Sequence, residues 1–536
     1  MGEKKNKQAE RHLEVEIKLA VDDSTAVPDL TQLPGVSAMK DTTEHNLSAV
    51  YYDTPDLRLT RQKVTLRRRK GGADDGWHMK LPADGDGRHE LRAPLDDPAT
   101  IPSELLDQVR AIVRNVPLEP VAQVDNRRVE SKLANEEGEV IAEFCDDHVT
   151  AWSLLPGGER TSWREWELEL AESIAGTEEG HAMIRQATSF LISSGARKSS
   201  SPSKLATALG ESVRTAPLPP HLQEPELEEG SPAAAVIAAV RAQRDEIVAW
   251  DPKVRADEFD SVHQLRVATR EMRSLLETFE GILEGEQLEN LEAELKETAA
   301  VLGVARDAEV VEERFIELLE TDESGMIDEA TRSHIAGDMR ADYTAAHAEI
   351  VAMLDGERFL NMLDAIDELL AAPPVHTRAE EEEEDEEANE GETDKKILME
   401  HLEKAFKKVR KRDAKVAEHY HDTDLPLHKR EDYVHDVRKA VKKLRYATAA
   451  AEAAGIKTGR LAKAAKALQT VLGDFQDAVT SRDRILRLAD EARERDEDTF
   501  AYGLLYQREL MLGDAALSSY DASMRELKKA FKKISK

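Results

Sequence analysis

Glu14, Glu16 and Lys18 stand at alternate positions and spell E-x-E-x-K. On an extended strand alternate residues project to one side, so two carboxylates and an ammonium share a face. Glu165, Glu167 and Glu169 repeat the acidic pattern in REWELEL. Carboxylates inside the concave face of a sheet are costly unless a cation accompanies them. Carboxylate oxygens at this spacing suit Mg²⁺ or Mn²⁺, which also bridge phosphate oxygens. Between the two acidic segments lie Arg67, Arg69, Lys80, Arg88 and the adjacent pair Arg127 and Arg128, and rings of such cations suit a triphosphate. A closed β-barrel alternating the two charge sets would be a container for a metal–polyphosphate complex.

A second set of cations has helical spacing. His263, Arg266, Arg270 and Arg273 fall at i, i+3, i+7 and i+10 in VHQLRVATREMRSLLETFE. His435, Arg438, Lys442 and Arg445 repeat them 172 residues later in VHDVRKAVKKLRYATAAAE. This spacing stacks four side chains on one helix face. Such a face repels itself unless an anion meets it, and two copies imply two helices lining one long anionic ligand. LGVARDA at Leu302–Ala308 returns as LGDFQDA at Leu472–Ala478, an offset of 170, and the near-constant offset marks a duplicated unit. A base-free polyphosphate fits better than nucleic acid: the region has few aromatics for bases to stack on, and rows of Arg and Lys gain from counterion release. Both histidines can donate to phosphate oxygens. Neither has a second His or Cys at zinc-ligand spacing. Arg241, Arg244, Lys408, Lys411, Arg412, Lys415, Lys529 and Lys533 are auxiliary cations. Gly303 and Gly473 read as tight helix contacts, and Asp307 and Asp477 as salt bridges or caps.

The elements that must position these residues differ along the chain. Up to about Leu209, short alternating segments read as strands: HLEVEIKLAV, SAVYYDT, VTLRRRK, WHMKLP, HELRAPL, EVIAEFCDDHVTAW and SWREWELELAE, separated by turns such as GGADDG and PADGDG. Leu105–Val113 and Gly180–Ser193 read as helices. The Pro- and Glu-rich stretch at 211–232 is the expected linker. From Ala233 onward helical periodicity dominates, with an acidic linker at 373–394 between halves 233–372 and 395–534.

The E-x-E-x-K start, YYDTP at Tyr51–Pro55, LRRR at Leu66–Arg69, ELEL and Ser203-Lys204 resemble, in order and spacing, the CYTH domain of the triphosphate tunnel metalloenzymes, over residues 8–210. The resemblance implies an eight-stranded antiparallel tunnel that hydrolyses triphosphates or, more rarely, cyclises ATP. Carried over, Lys18, Arg67, Arg69, Lys80, Arg88 and Lys204 bind phosphate, and Glu14, Glu16, Glu167 and Glu169 hold metal, with Asp146 assisting. One ion would neutralise phosphate oxygens and another would position water. Of the Arg127–Arg128 pair only one can point inward, and Arg127 is preferred. The repeated H-x-x-R-x-x-x-[RK]-x-x-R face resembles the CHAD domain, the conserved-histidine α-helical domain, over residues 233–534. That resemblance implies a pseudo-twofold helical bundle binding inorganic polyphosphate. The expected whole is a multidomain α+β protein and a metal-dependent triphosphatase, with a non-catalytic polyphosphate scaffold as the alternative.

Bulk properties restrict partners. The net charge of −34 opposes polyanion binding overall, but Glu380–Glu387 concentrates acid while Lys395–Lys415 and Arg525–Lys536 concentrate base. Screening over about 8 Å leaves local potential to decide. No apolar run approaches the ~20 residues of a membrane span, and the opening MGEKKNKQAERHLEVE lacks the apolar stretch of a secretory signal. The single Cys145 excludes an intrachain disulfide. A cytoplasmic protein is expected, associated with polyphosphate granules where these exist, with no specific nucleic-acid or membrane partner.

Overall fold

The computed structural model describes residues 10–72, 74–83, 87–97, 99–228, 230–279, 282–321, 325–327, 329–375, 390–453 and 455–534. Two compact units, Met1–Pro219 and Pro220–Lys536, divide the chain.

The first unit is one antiparallel sheet: β1 (Glu10–Glu14), β2 (Glu16–Val21), β3 (Ala38–Asp53), β4 (Thr65–Lys70), β5 (Gly76–Pro82), β6 (Arg88–Ala93), β7 (Glu119–Ala134), β8 (Val140–Ser153), β9 (Arg160–Leu170) and β10 (Arg197–Lys198). The order is β1-β6-β5-β4-β3-β7-β8-β9-β2-β10. β1 and β2 are halves of one strand parted at Val15. The first half pairs with β6 (Glu14 opposite Arg88) and the second with β9 (Glu16 opposite Glu169, Lys18 opposite Glu167). The N-terminal strand therefore closes the sheet into a barrel. Counting that strand once, eight strands form the wall, and the two-residue β10 hangs on β2.

Period-two alternation explains why the barrel is charged inside. On β2, β8 and β9 the outward residues Leu19, Phe144, Trp166, Leu168 and Leu170 pack under Met183, Ala187 and Leu191 of helix α4. Short helices α1 (Arg58–Arg61), α2 (Ser103–Asp107) and α3 (Arg110–Val113) precede α4 (Glu178–Ser193). Leu59, Leu105, Val109 and Val113 cover Leu66, Met79 and Leu91 of β4–β6. With these apolar faces buried outside, the opposite phase of each strand must face the lumen. Between β4 and β5 the chain turns at Gly71, where φ is +83° and a Cβ would stand 2.0 Å from the Asn46 carbonyl; only glycine fits. Asp53 of YYDTP is buried and accepts from the amides of Thr54 (2.7 Å), Leu59 (2.9 Å) and Thr60 (2.8 Å). It organises the turn into α1 and is no part of the lumen. α5 (Lys204–Leu209) and α6 (Ser212–Thr215) follow β10.

Two differences from expectation belong here. β7 runs well beyond the Arg127–Arg128 pair that the sequence placed on a strand, because its exposed and lumen-facing residues are nearly all polar and give no apolar alternation to mark its ends. The expected linker 211–232 is built into the units: Ser212 Oγ lies 3.0 Å from Ser153 Oγ in the first, and Pro220–Leu222 forms a 3₁₀ turn with His221 buried in the second.

The second unit is helical and runs twice through the same series. The first five are α7 (Pro232–Arg255), α8 (Ser261–Thr278), α9 (Glu286–Glu320), α10 (Glu329–Asp355) and α11 (Glu357–Ala371). They are answered by α12 (Glu390–His419), α13 (Leu427–Ala453), α14 (Gly459–Glu494), α15 (Phe500–Leu517) and α16 (Tyr520–Ile534). Ser231 caps α7 by accepting from the Ala234 amide, with Pro232 at the first helical position. Val311, Phe315 and Leu318 of α9 share a core with Ile485 and Leu488 of α14 and Tyr502 and Leu505 of α15. The expected linker 373–394 is shorter than its assigned range: Pro374 accepts from the Glu284 amide at 3.0 Å, and α12 already begins at Glu390. The acidic tract 380–387 lies outside the described residues.

Candidate functional site

The barrel encloses a cavity of about 450 Å³ lined by Glu14, Glu16, Lys18, Arg67, Arg69, Lys80, Arg88, Glu167, Glu169 and Lys204, all of them singled out in the sequence. Lys204 arrives from a helix rather than a strand. Ser203 caps α5 by accepting from the Ala206 amide at 3.0 Å, which fixes Lys204 as the first helical residue and turns its amine inward.

The lumen carboxylates form two clusters of opposite character. Glu14, Glu16 and Glu169 place one carboxylate oxygen each within 4.8 Å of one another. Lys80 pairs with Glu14 and lies 3.8 Å from Glu16, yet Glu14 Oε2 is buried without a partner. Burial, with Glu14 and Glu16 alongside, pushes the Glu169 carboxyl up to about 8. Lys18 pairs with Glu16 as well, so two ammonium groups serve three carboxylates, and the hard oxygen donors left over fit a divalent cation. Asp147, Glu165 and Glu167 form the second cluster. Here Lys204 Nζ lies 2.8, 2.5 and 2.7 Å from the three carboxylates, and Arg128 sits 2.7 Å from Asp147 and also grips Glu167. Burial opposes the Lys204 charge, but Asp147, Glu167 and Glu165 raise its pKa well above the usual value. The protein's own cations already neutralise this cluster. Glu167, expected as a metal ligand, is thus held by Lys204, Arg128 and, at 3.5 Å, Lys18.

Across the lumen the cations are poised differently. Arg67 lies 3.5 Å from the Tyr51 hydroxyl and 3.6 Å from Glu90. Arg69 pairs with Asp74 of the β4–β5 turn. The Nε of each is buried without a partner. Burial and the adjacent Arg67 and Arg128 depress the Arg69 guanidinium, the mark of a strongly positive spot awaiting an anion. Glu90 is buried; despite that, His78 at 3.2 Å, Lys80, Arg67 and Arg92 hold its carboxyl well below the usual range.

Two sequence expectations are corrected. Asp146 points out of the lumen and is clamped by Arg164, with Nε–Oδ1 and Nη2–Oδ2 both 2.8 Å; its neighbour Asp147 is the inward residue. Arg127 is half exposed and 3.3 Å from Glu44, whereas Arg128 lines the cavity. The signal that finds both is the phase of β7, where Asn126, Arg128, Glu130 and Lys132 all line the lumen. Pairing Arg128 with Asp147 and Asp147 with Glu165 carries that phase across the sheet.

In the second unit the two repeated faces converge. Burial together with Arg438, Arg270, Arg266 and Arg445 pushes Lys442 down to about 6. Burial and a set including Arg266, Arg438 and Arg273 lower Arg270. Residues from both halves thus share one crowded cationic cluster. The ends are moderated: Arg273 lies 3.1 Å from Glu277, and Arg445 pairs with Glu271. His435 Nδ1 is 2.5 Å from Gln476 Oε1. His263 instead has Arg306 for a neighbour, which with burial lowers its pKa. Arg306 was missed because the position equivalent to it in the second repeat is Gln476. Asp307 pairs with Arg266 at 3.3 Å. Gly303 and Gly473 are not tight helix contacts: a Cβ would meet only the Arg266 guanidinium at 3.5 Å at 303, and nothing within 4 Å at 473. Arg244 is buried against Asp367 at 2.7 Å and Arg241 donates to the His221 carbonyl, so these two expected auxiliary cations are structural. Among the described residues no helix is long and apolar enough to cross a membrane.

Residues 12–194 match the CYTH domain and residues 238–486 the CHAD domain. Two proteins of Mycobacterium tuberculosis, uncharacterized protein MT2285 and uncharacterized protein Rv2226, are each 38% identical over 537 residues, covering 98% of this chain and 98% of their own. Among solved structures, PptA from Streptomyces chartreusis is 19% identical, covering 55% of this chain and 99% of its own, with a TM-score of 0.44. The CHAD domain from the plant Ricinus communis is 21% identical, covering 56% and 92%, with a TM-score of 0.41.

Proposed function

This chain belongs to the family of proteins that join a CYTH domain to a CHAD domain, and from that premise we propose that it hydrolyses inorganic triphosphate or polyphosphate in its barrel and binds polyphosphate on its helical basic face. The observation that carries the reading is the lumen. A cluster of three carboxylates, with only Lys80 and Lys18 as counter-charge and one Glu14 oxygen unpartnered, faces arginines whose buried Nε atoms have no partner.

Glu14, Glu16 and Glu169 would hold a divalent cation, Mg²⁺ or Mn²⁺, which supplies charge neutralisation on phosphate oxygens and a more acidic water. Hydrolysis joins a water oxygen to the terminal phosphorus and breaks the bridging P–O bond, so negative charge builds on the departing phosphate. Arg67, Arg69, Lys80 and Arg88 bind the phosphate oxygens from the β4–β6 wall. Arg128 and Lys204, held by Asp147, Glu165 and Glu167, and Lys18, held by Glu16 and Glu167, complete the cationic lining. Because these cations are fixed before substrate arrives, little reorganisation accompanies charge development. Apart from Tyr51 and His45 the lining offers no aromatic surface, which favours a substrate without a base.

The test is phosphate release from tripolyphosphate, long polyphosphate, ATP and thiamine triphosphate with Mg²⁺ or Mn²⁺. Metal-dependent release from the inorganic substrates, abolished by Glu14→Gln with Glu16→Gln, is the expected result. Tight, salt-sensitive polyphosphate binding with no turnover on any of the four would replace the hydrolase by a scaffold.

A further inference from the structure

The helical unit contains its own control for surface charge. α11 and α16 are the fifth helices of the two repeats, and each has 15 residues. α11 carries one cation, Arg358, against four acids; α16 carries Arg525, Lys528, Lys529, Lys532 and Lys533 against two. Both bury an apolar stripe, which on α16 is Tyr520, Met524, Leu527 and Phe531. The fold therefore tolerates either sign at this place, so neither packing nor solubility requires α16 to be basic. Its five cations are all exposed.

The neighbouring helix adds to the same field. α12 packs antiparallel to α16: Phe406 stacks on Phe531 at 3.9 Å and 8°, while Asp413 at the far end accepts from Tyr520 at 2.9 Å and from Lys528 at 2.6 Å. Five of the eight residues from Lys404 to Lys411 are exposed cations. Glu403 and Asp413 on α12 with Asp521 and Glu526 on α16 are too few to balance them, in a chain whose net charge is −34.

We propose that the outer faces of α12 and α16 form a second polyanion site, which takes the overhanging part of a long polyphosphate chain. The inference rests on the reading that the α8–α13 face binds polyphosphate. Arg525, Lys529 and Lys532 follow one another at i, i+4 and i+7, so they track a flexible backbone of phosphates along the helix. The aromatics of both helices, Phe406, Tyr520 and Phe531, are turned inward, leaving no stacking platform for a single-stranded nucleic acid. Among the described residues neither outer face exposes a large apolar side chain, so there is nothing to insert into a lipid surface.

The experiment compares the full chain with an Arg525→Gln, Lys529→Gln, Lys532→Gln, Lys533→Gln variant, measuring binding of labelled short oligophosphate, labelled long-chain polyphosphate, duplex DNA and anionic vesicles across a salt series. Expected is a loss of about tenfold on the long chain alone, with a log–log salt slope shallower by about 3, as four released counterions on a single strand require. Unchanged long-chain binding overturns the proposal, and so does a loss confined to DNA or vesicles. If the unaltered chain binds neither oligophosphate nor polyphosphate, the reading of the α8–α13 face falls, and this inference with it. Circular dichroism of the variant establishes that the fold is retained.

Discussion

Asp146 and Asp147 are adjacent in the chain and opposite in chemistry. A strand sends neighbours to opposite faces, so Asp147 joins Lys204 and Arg128 in the lumen while Asp146 holds Arg164 outside, where that guanidinium also donates to the Thr25 carbonyl at 2.7 Å. Asp146→Asn should leave turnover intact and lower stability by about 3 kcal/mol, the usual cost of breaking a buried pair, read from urea unfolding. Asp147→Asn should do the reverse, cutting kcat/KM by ~10²-fold through misplaced Arg128 and Lys204. Equal turnover in the two variants would contradict the lumen assignment. At this scale the lumen residues Glu14, Glu16, Lys18 and Glu169 were legible because each sits in an alternating segment whose other phase is apolar, while Arg67 and Arg69 were legible from their alternation in LRRR against the buried Leu66. Asp146 and Arg127 were misread because polar residues occupy both phases there, and only the pairing of β7 with β8 and β9 resolves which is inward.

The element scale shows what helical spacing does and does not say. His263 to Arg273 and His435 to Arg445 were legible as faces from spacing alone. That the faces meet was not, since it depends on how α8 and α13 pack. Meeting has a consequence at Lys442, the one member of the inner cluster that can shed its proton near neutrality. With a free-state pKa of about 6, its amine is mostly neutral at pH 7.5, and an arriving polyanion favours the charged form. Binding therefore takes up a proton, and affinity should weaken as pH rises above about 6, until the raised pKa of the complex is passed. Below pH 6 Lys442 is charged in both states and contributes no slope. The half-buried His263 and His435, both depressed below their ordinary value, add a slope of the same sign at lower pH. Lys442→Arg, which stays charged, should flatten the dependence between pH 7 and 8 in titrations of polyphosphate binding. A slope there unchanged by the substitution would place the titrating group elsewhere.

At the scale of the whole molecule, a strongly acidic chain gathers buried and half-buried cations in a barrel lumen and in a helical cluster. Net charge is a poor guide to ligand because exposed charges are screened within about 8 Å, while the lumen and the inner helical cluster are largely shielded from solvent. On the proposed function, joining both sites in one chain makes the second encounter intramolecular, so a polyphosphate held by the helical unit would meet the barrel at a raised effective concentration. A substrate taken up by the barrel alone gains nothing from that linkage. Arg270→Gln with Lys442→Gln in the full chain should therefore raise KM for long polyphosphate by about tenfold while leaving kcat, and KM for tripolyphosphate, unchanged. Such a split cannot come from damage to the barrel, which would move both substrates together. Identical KM values for long polyphosphate in the variant and the unaltered chain would mean that the two units act independently, each on its own ligand.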